Sequence, residues 1–181
     1  MNLLEIVPTV TVSKDILATG FALARKLRKI AVPARVCDGF IGNRTMAAYR
    51  QTYAFMLEDR ALPHEIGPAD GRLWISDGHR HGTVSVGPRH RLGEAEGARR
   101  GSIDPAVTAT IAGESTKKGI AQQTIAQSEI METVLDVMHC EGEAILEDGI
   151  AASPEAIDVV MVNGYGFPRW RGGPMFMKTT R

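Results

Sequence analysis

One pattern occurs twice in this chain, and it constrains the fold more than any other feature. Leu57-Glu58-Asp59-Arg60-Ala61-Leu62-Pro63-His64-Glu65-Ile66 reads like Leu146-Glu147-Asp148-Gly149-Ile150-Ala151-Ala152-Ser153-Pro154-Glu155-Ala156-Ile157. Each copy predicts a helix end, a short loop holding a proline, and a second helix start. A first-turn proline loses no hydrogen bond there, so Pro154 is harmless. The later copy runs on through Tyr165-Gly166-Phe167-Pro168-Arg169-Trp170-Arg171-Gly172-Gly173-Pro174, whereas the earlier one breaks at Gly67 into Gly, Arg and His.

The flanking segments fix the rest of the expected architecture. Leu3-Leu4-Glu5-Ile6-Val7 predicts a short strand with one acidic residue. Ser13 is a good N-cap, and Asp15 sits in the first turn where the helix dipole favours an anion. Leu17, Phe21, Ala24 and Leu27 then follow at helical spacing, with Lys26, Arg28 and Lys29 at the end. Ile30 to Val36 predicts a second strand, and Pro33 marks it as an edge or a strand end. This strand–helix–strand unit reads as the tail of a larger α/β domain, because parallel strands need helices on the sheet faces. From Gly39 the chain turns helical. Residues 43–58 carry Met46, Ala47, Tyr53, Ala54 and Leu57 as an apolar face, a further helix is expected from Asp104 or Pro105 to about Ser115, and one opening at Ser128 carries Ile130, Val134, Val137, Met138 and Ile145.

Bulk properties exclude several function classes. The 21 basic and 21 acidic residues cancel, which removes the electrostatic case for nucleic acid. No apolar run approaches the roughly 20 residues of a membrane span. Met1 to Pro8 lacks a signal-peptide pattern, and Cys37 and Cys140 show no metal spacing. The expectation is a cytoplasmic protein with both cysteines as buried apolar fillers.

The chain resembles 3-hydroxyacyl-CoA dehydrogenases, above all the dehydrogenase part of multifunctional fatty-acid β-oxidation enzymes. The resemblance rests on Leu3-Leu4-Glu5-Ile6-Val7, on Val36-Cys37-Asp38-Gly39-Phe40-Ile41-Gly42-Asn43-Arg44, and on Gly164-Tyr165-Gly166-Phe167-Pro168 followed by Arg171-Gly172-Gly173-Pro174. It covers residues 1–66 and 103–178. It implies an N-terminal NAD-binding Rossmann domain and a C-terminal helical part of two similar halves, which makes the near-repeat that duplication. The implied fold is mostly α: a duplicated helical C-terminal domain preceded by a βαβ remnant of a Rossmann domain. The implied divisions are residues 1–37 for the remnant, 38–66 for the first helical repeat, 67–102 for an irregular segment, and 103–181 for a second, truncated repeat. The family's reaction uses a histidine as general base on the 3-hydroxyl while hydride passes from that carbon to NAD. A glutamate orients the histidine and an asparagine binds near the reacting oxygen. By position Glu5 matches the glutamate and Asn43 the asparagine.

The chain departs from the family in two places. The family's histidine would precede Met1, and the first histidine here is His64. The Gly-x-Gly-x-x-Gly phosphate loop is absent, since Arg169 follows Gly164 and Gly166 where a third glycine is needed. Glu5 is therefore expected to face water at a frayed sheet edge. Asn43 stands open between capping a helix and binding substrate. Gly39 and Gly42 are expected to permit a tight strand-to-helix turn. Arg169 and Arg171, flanking Trp170, either contact an anionic CoA group or form a solvated turn with one packed aromatic.

Residues 67–102 hold 8 of the 19 glycines and three of the five histidines. A loop this long argues against a simple element. The codes for Leu73 to His79 permit Phe-Gly-Phe-Pro-Met-Gly when read one base later, which echoes Tyr165-Gly166-Phe167-Pro168. The stretch from Gly67 to about Arg100 is therefore read as frame-shifted coding sequence, with a disordered insertion as the alternative. A metal site from His79, His81 and His90 lacks an acidic or Cys partner at ligand spacing. By resemblance the function is NAD-dependent oxidation of a 3-hydroxyacyl-CoA, with base and cofactor loop missing and the isolated chain inactive. The alternative is a non-catalytic helical fragment that pairs with an intact family member. An uncovered apolar face is expected to favour dimerisation or aggregation.

Overall fold

The computed structural model describes residues 2–59, 110, 113–117, 119 and 124–179, with the backbone alone at 57–59. The elements are β1 (Leu3–Ile6), α1 (Lys14–Lys26), β2 (Ile30–Pro33), α2 (Gly42–Asp59), α3 (Gln127–Glu147), α4 (Pro154–Gly164), a 3-10 turn (Arg169–Arg171) and α5 (Pro174–Thr179). Residues 113–117 are also helical. The described residues are thus mostly helical, as expected, with one two-stranded parallel sheet. They fall into two compact units, the first made of residues 2–49 and 135–179, the second of 50–59 and the described residues from 110 to 134. Glu5, Asn43, Arg169 and Arg171 all lie in the first. Residues 60–109, which include the broken copy of the repeat from Arg60 onward and all three loop histidines, lie outside the described residues.

Strand pairing explains how Pro33 is accommodated. The register is Leu3↔Ile30, Leu4↔Ala31, Glu5↔Val32 and Ile6↔Pro33. Ile30 and Ala34 donate to the carbonyls of Asn2 and Ile6, so Pro33 takes the alternate position whose N–H would point away from β1. Side chains alternate across a strand. Ile6 reaches Gly20 of α1, while Leu3 lies against Gly164 of α4, which places the two helices on opposite faces. Leu3, Val32 and Ala34 are buried. On α1 the start is as predicted: Ser13 accepts the Ile16 N–H at 3.4 Å, and Asp15 and Arg25/Lys26 match the dipole. Its cover is thin, however. Ala24 is buried, Leu17 and Phe21 are half-buried, and Ile16, Leu23 and Leu27 are each more than half exposed.

The helical half corrects two expectations. On α2, Met46 and Tyr53 are buried, but Ala47 and Ala54 are exposed and Thr45, Tyr49 and Thr52 face inward. Spacing decided the face rather than apolar letters, since 42, 45, 46, 49 and 53 follow one helical stripe. Thr45 is tolerated inside because its hydroxyl donates to the Ile41 carbonyl at 2.8 Å. The cysteines are not buried fillers. Cys37 is half-exposed, and Cys140 is exposed because it falls off the stripe formed by Met138, Gly142 and Ile145. On α3 the predicted Ile130, Val134, Met138 and Ile145 are buried, with Val137 half-buried. The intact copy of the repeat forms the expected corner. Gly149 takes φ +67°, Ile150 N–H bonds back to Ile145, and α4 opens at Pro154. No helix among the described residues is long and apolar enough to cross a membrane.

Candidate functional site

Two of the candidate residues, Glu5 and Asn43, meet at the start of α2. Gly39 (φ 77°) and Phe40 (φ 50°) are left-handed, and a Cβ on Gly39 would lie 2.8 Å from the Arg44 nitrogen. This turn aims the N–H groups of Ile41 and Gly42 at β1. Glu5 Oε1 accepts both, at 3.0 Å and 3.4 Å. Glu5 therefore does not face water at a frayed edge. It shares the Leu3 face of the sheet, which α4 covers, and it caps α2 from a neighbouring strand. Burial raises its carboxyl above the ordinary glutamate value, and the two amide hydrogen bonds offset this only in part. Oε2 holds no hydrogen bond to any described residue.

Asn43 is exposed and its side chain does not cap the helix. Asn43 and Arg44 donate their own N–H groups to the Gly39 carbonyl at 3.0 Å and 3.2 Å, and Thr45 donates to Ile41 at 3.1 Å. With Ile41 and Gly42 held by Glu5, the first turn leaves no amide for an asparagine cap. Asn43 Oδ1 instead accepts the Tyr165 hydroxyl at 2.9 Å. Tyr165 follows the last residue of α4, and a Cβ on Gly42 would overlap its ring. Gly164 is tight for a similar reason, with the Leu3 side chain against it. Arg44 anchors the turn from its other side. Its Nε donates to Glu141 Oε1 at 2.5 Å and its Nη1 to Asp148 Oδ2 at 2.7 Å. The Asp148 bond in particular pushes the guanidinium pKa higher still.

A second carboxylate does comparable work. Asp158 on α4 is buried, with Oδ1 accepting Met175 N–H at 2.9 Å and Oδ2 accepting Phe176 N–H at 3.0 Å. Burial raises its carboxyl too. A Cβ on Gly173 would overlap it, which accounts for one glycine of the Arg171-Gly172-Gly173-Pro174 stretch.

The two arginines stand apart from this cluster. Arg169 Nη2 donates to Asn163 Oδ1 at 3.2 Å, and the Arg171 guanidinium stacks 4.5 Å from the Trp170 ring centroid. Trp170 is 73% exposed, so the aromatic that packs here is Phe167, at 1%. No hydrogen bond or ion pair among the described residues joins either arginine to Glu5 or Asn43. No group of three or more His, Cys, Asp or Glu that could hold a metal occurs among the described residues. No role was expected of Tyr165, Arg44 or Asp158 from the sequence; Gly42 was expected to permit a tight turn, and the structure shows that it also admits the Tyr165 ring.

No family model matches the chain. It is similar to the peroxisomal bifunctional enzyme of Homo sapiens, 33% identical over 233 residues that take in 99% of this chain and 32% of that protein. The peroxisomal bifunctional enzyme of Danio rerio is 32% identical over 97% of the chain and 32% of its own length. The fatty acid oxidation complex subunit alpha of Acinetobacter baylyi is 24% identical over 96% of the chain and 30% of its own length. The chain spans about a third of the length of the curated relatives it matches. The matched stretch in the first is longer than the 181 residues here, so it includes residues with no counterpart in this chain. These relatives bear out the resemblance to a 3-hydroxyacyl-CoA dehydrogenase-type family of fatty-acid oxidation enzymes.

Proposed function

We propose, from this kinship with 3-hydroxyacyl-CoA dehydrogenases, that the chain carries part of a site for NAD-dependent oxidation of a 3-hydroxyacyl-CoA to the 3-ketoacyl-CoA. The pathway is fatty-acid β-oxidation, and the 181 residues do not complete the reaction by themselves. One observation carries this reading. Glu5 on β1 and Asn43 on α2 come together at a single turn, with Glu5 Oε2 bonded to no described residue and Asn43 exposed. Glu5 Oε2 is suited to accept an imidazole N–H and stabilise the cation that forms when a histidine takes the hydroxyl proton. Asn43 Nδ2 is suited to donate to the oxygen on the carbon being oxidised. The one described histidine, His139 on α3, is bonded to neither Glu5 nor Asn43.

The NAD phosphates fit poorly on these residues. The connection from β1 to α1, residues 7–13, holds no glycine, and the Ser13 side chain already occupies the start of α1. No step is assigned to NAD on this chain's residues. Arg169 and Arg171 are proposed to contact the anionic part of CoA, beside the exposed Trp170 ring. The reading of residues 1–37 as a Rossmann remnant, 38–66 and 103–181 as helical repeats and 67–102 as a frame-shifted stretch belongs to the same proposal. So does a cytoplasmic location, which rests on two free cysteines; the animal relatives are named peroxisomal.

A second reading is a non-catalytic fragment that pairs with an intact dehydrogenase or with a second copy. It is favoured by Ile16, Leu23 and Leu27 on α1, at 62%, 53% and 56% exposure. The deciding assay supplies NAD and 3-hydroxybutyryl-CoA to the purified chain. We expect no NADH; turnover would refute the incomplete site. Co-purification with a full-length dehydrogenase would favour pairing.

A further inference from the structure

The geometry points to Tyr165 as a positioning residue that fixes the Asn43 amide with its NH2 group outward, so that Asn43 offers a donor to an oxygen of the ligand. This deepens the proposed function and rests on it for the identity of the ligand.

The argument begins with what an asparagine does in the first turn of a helix. Its carbonyl oxygen ordinarily folds back onto a free backbone N–H, because that turn has donors without helical partners. Here each of those donors is occupied. Ile41 and Gly42 give theirs to Glu5, Asn43 and Arg44 give theirs to Gly39, and Thr45 gives its own to Ile41. The Asn43 side chain is left to swing in solvent unless something else holds it. Tyr165 holds it, with its hydroxyl 2.9 Å from Oδ1. An asparagine amide has one acceptor end and one donor end. When the hydroxyl donates to Oδ1, the end left for a ligand is the Nδ2 donor pair. A site built this way takes an acceptor oxygen, such as the hydroxyl or carbonyl oxygen at C3 of the acyl chain, and rejects a donor-only group.

The placement of Tyr165 is itself specified. Its ring occupies the space where a Cβ of residue 42 would be, so Gly42 is what admits it. Gly164 immediately before it takes the Leu3 side chain in the same manner, which seats the end of α4 on β1 two residues from Glu5. The Gly164-Tyr165 pair and the Gly42-Asn43 pair therefore interlock, and the C-terminal motif reaches the site through one hydroxyl.

The test reads the Asn43 side chain directly. In the isotope-labelled 181-residue chain, the Asn43 Nδ2 signals are assigned by their loss in Asn43→Asp. Their order is measured by heteronuclear relaxation and compared with the exposed side chain of Asn2. We expect Asn43 to be clearly the more ordered, and Tyr165→Phe, which keeps the ring on Gly42, to lower it to the level of Asn2. The Ile41 and Gly42 backbone signals should not move. An Asn43 amide as mobile as Asn2 in the wild-type chain overturns the inference without any variant. An amide unchanged in Tyr165→Phe, or Ile41 and Gly42 signals that shift as much as Asn43, also overturns it. Titration with acetoacetyl-CoA is the second arm. The Nδ2 signals should shift in the wild-type chain, with affinity about threefold to tenfold weaker in Tyr165→Phe, the range of one neutral hydrogen bond. An ordered Asn43 that ignores acetoacetyl-CoA would defeat the dehydrogenase reading while leaving the positioning role in place.

Discussion

Glu5 and Asp158 each reach from one element to the first amides of a helix in another, and they differ in what is left over. Asp158 spends one oxygen on Met175 and the other on Phe176, and it is buried. Glu5 places both bonds on Oε1, keeps Oε2 open among the described residues, and is half-buried. A carboxylate with every acceptor engaged is structure. One with a spare oxygen at a half-covered turn can also serve a reaction. The surroundings agree, since Asp158 faces a glycine pressed against it, while the turn at Glu5 ends in the exposed amide of Asn43.

Substitutions can break this comparison in order of size. Asp158→Ala strands the buried Met175 amide and the part-buried Phe176 amide and should cost about 3 kcal/mol in urea unfolding, the largest effect expected. A loss no greater than that of Glu5→Ala would remove the distinction. Gly42→Ala drives a methyl into the Tyr165 ring and should cost about 2 kcal/mol while freeing the Asn43 amide; an unchanged unfolding midpoint would mean the ring is not where it is described. Glu5→Ala should cost about 1.5 kcal/mol, because water can reach part of what it uncovers.

The smallest effect concerns pH, and its sign is informative. Both carboxyls titrate above their ordinary values because burial disfavours the charged form. The folded chain therefore binds more protons than the unfolded chain in that window. Stability from these two groups must rise as pH falls from 7 toward about 4.5, and fall as pH rises through the raised values. The unfolding free energy of wild type minus that of a Glu5→Gln/Asp158→Asn variant should thus grow as pH is lowered. A shrinking difference would mean that the amide hydrogen bonds outweigh desolvation.

Much of this arrangement was legible in the sequence, though unevenly. The first strand, the Ser13 cap, the corner at Gly149–Pro154 and the buried stripe of α3 formed where local chemistry placed them, while the second strand stops at Pro33 instead of running to Val36. Glu5 and Asn43 were picked out by resemblance, but their partners were not. A carboxylate that caps a helix in another element leaves no spacing signal, since Glu5 and Ile41 meet only once β1 and β2 pair and the Gly39 turn folds back. The Asn43–Tyr165 bond joins opposite ends of the chain for the same reason. The face of α2 was misjudged because alanine counts as apolar wherever it stands, whereas threonine with its hydroxyl on a helix carbonyl packs well inside.

The most direct test of the account is a titration of the isotope-labelled chain with acetoacetyl-CoA, read at the backbone amides beside both carboxylates. Saturable shifts at Ile41, Gly42 and Asn43, with Met175 and Phe176 unmoved, are the predicted result. Silence at Ile41 to Asn43, or shifts centred on Met175 and Phe176, would contradict it.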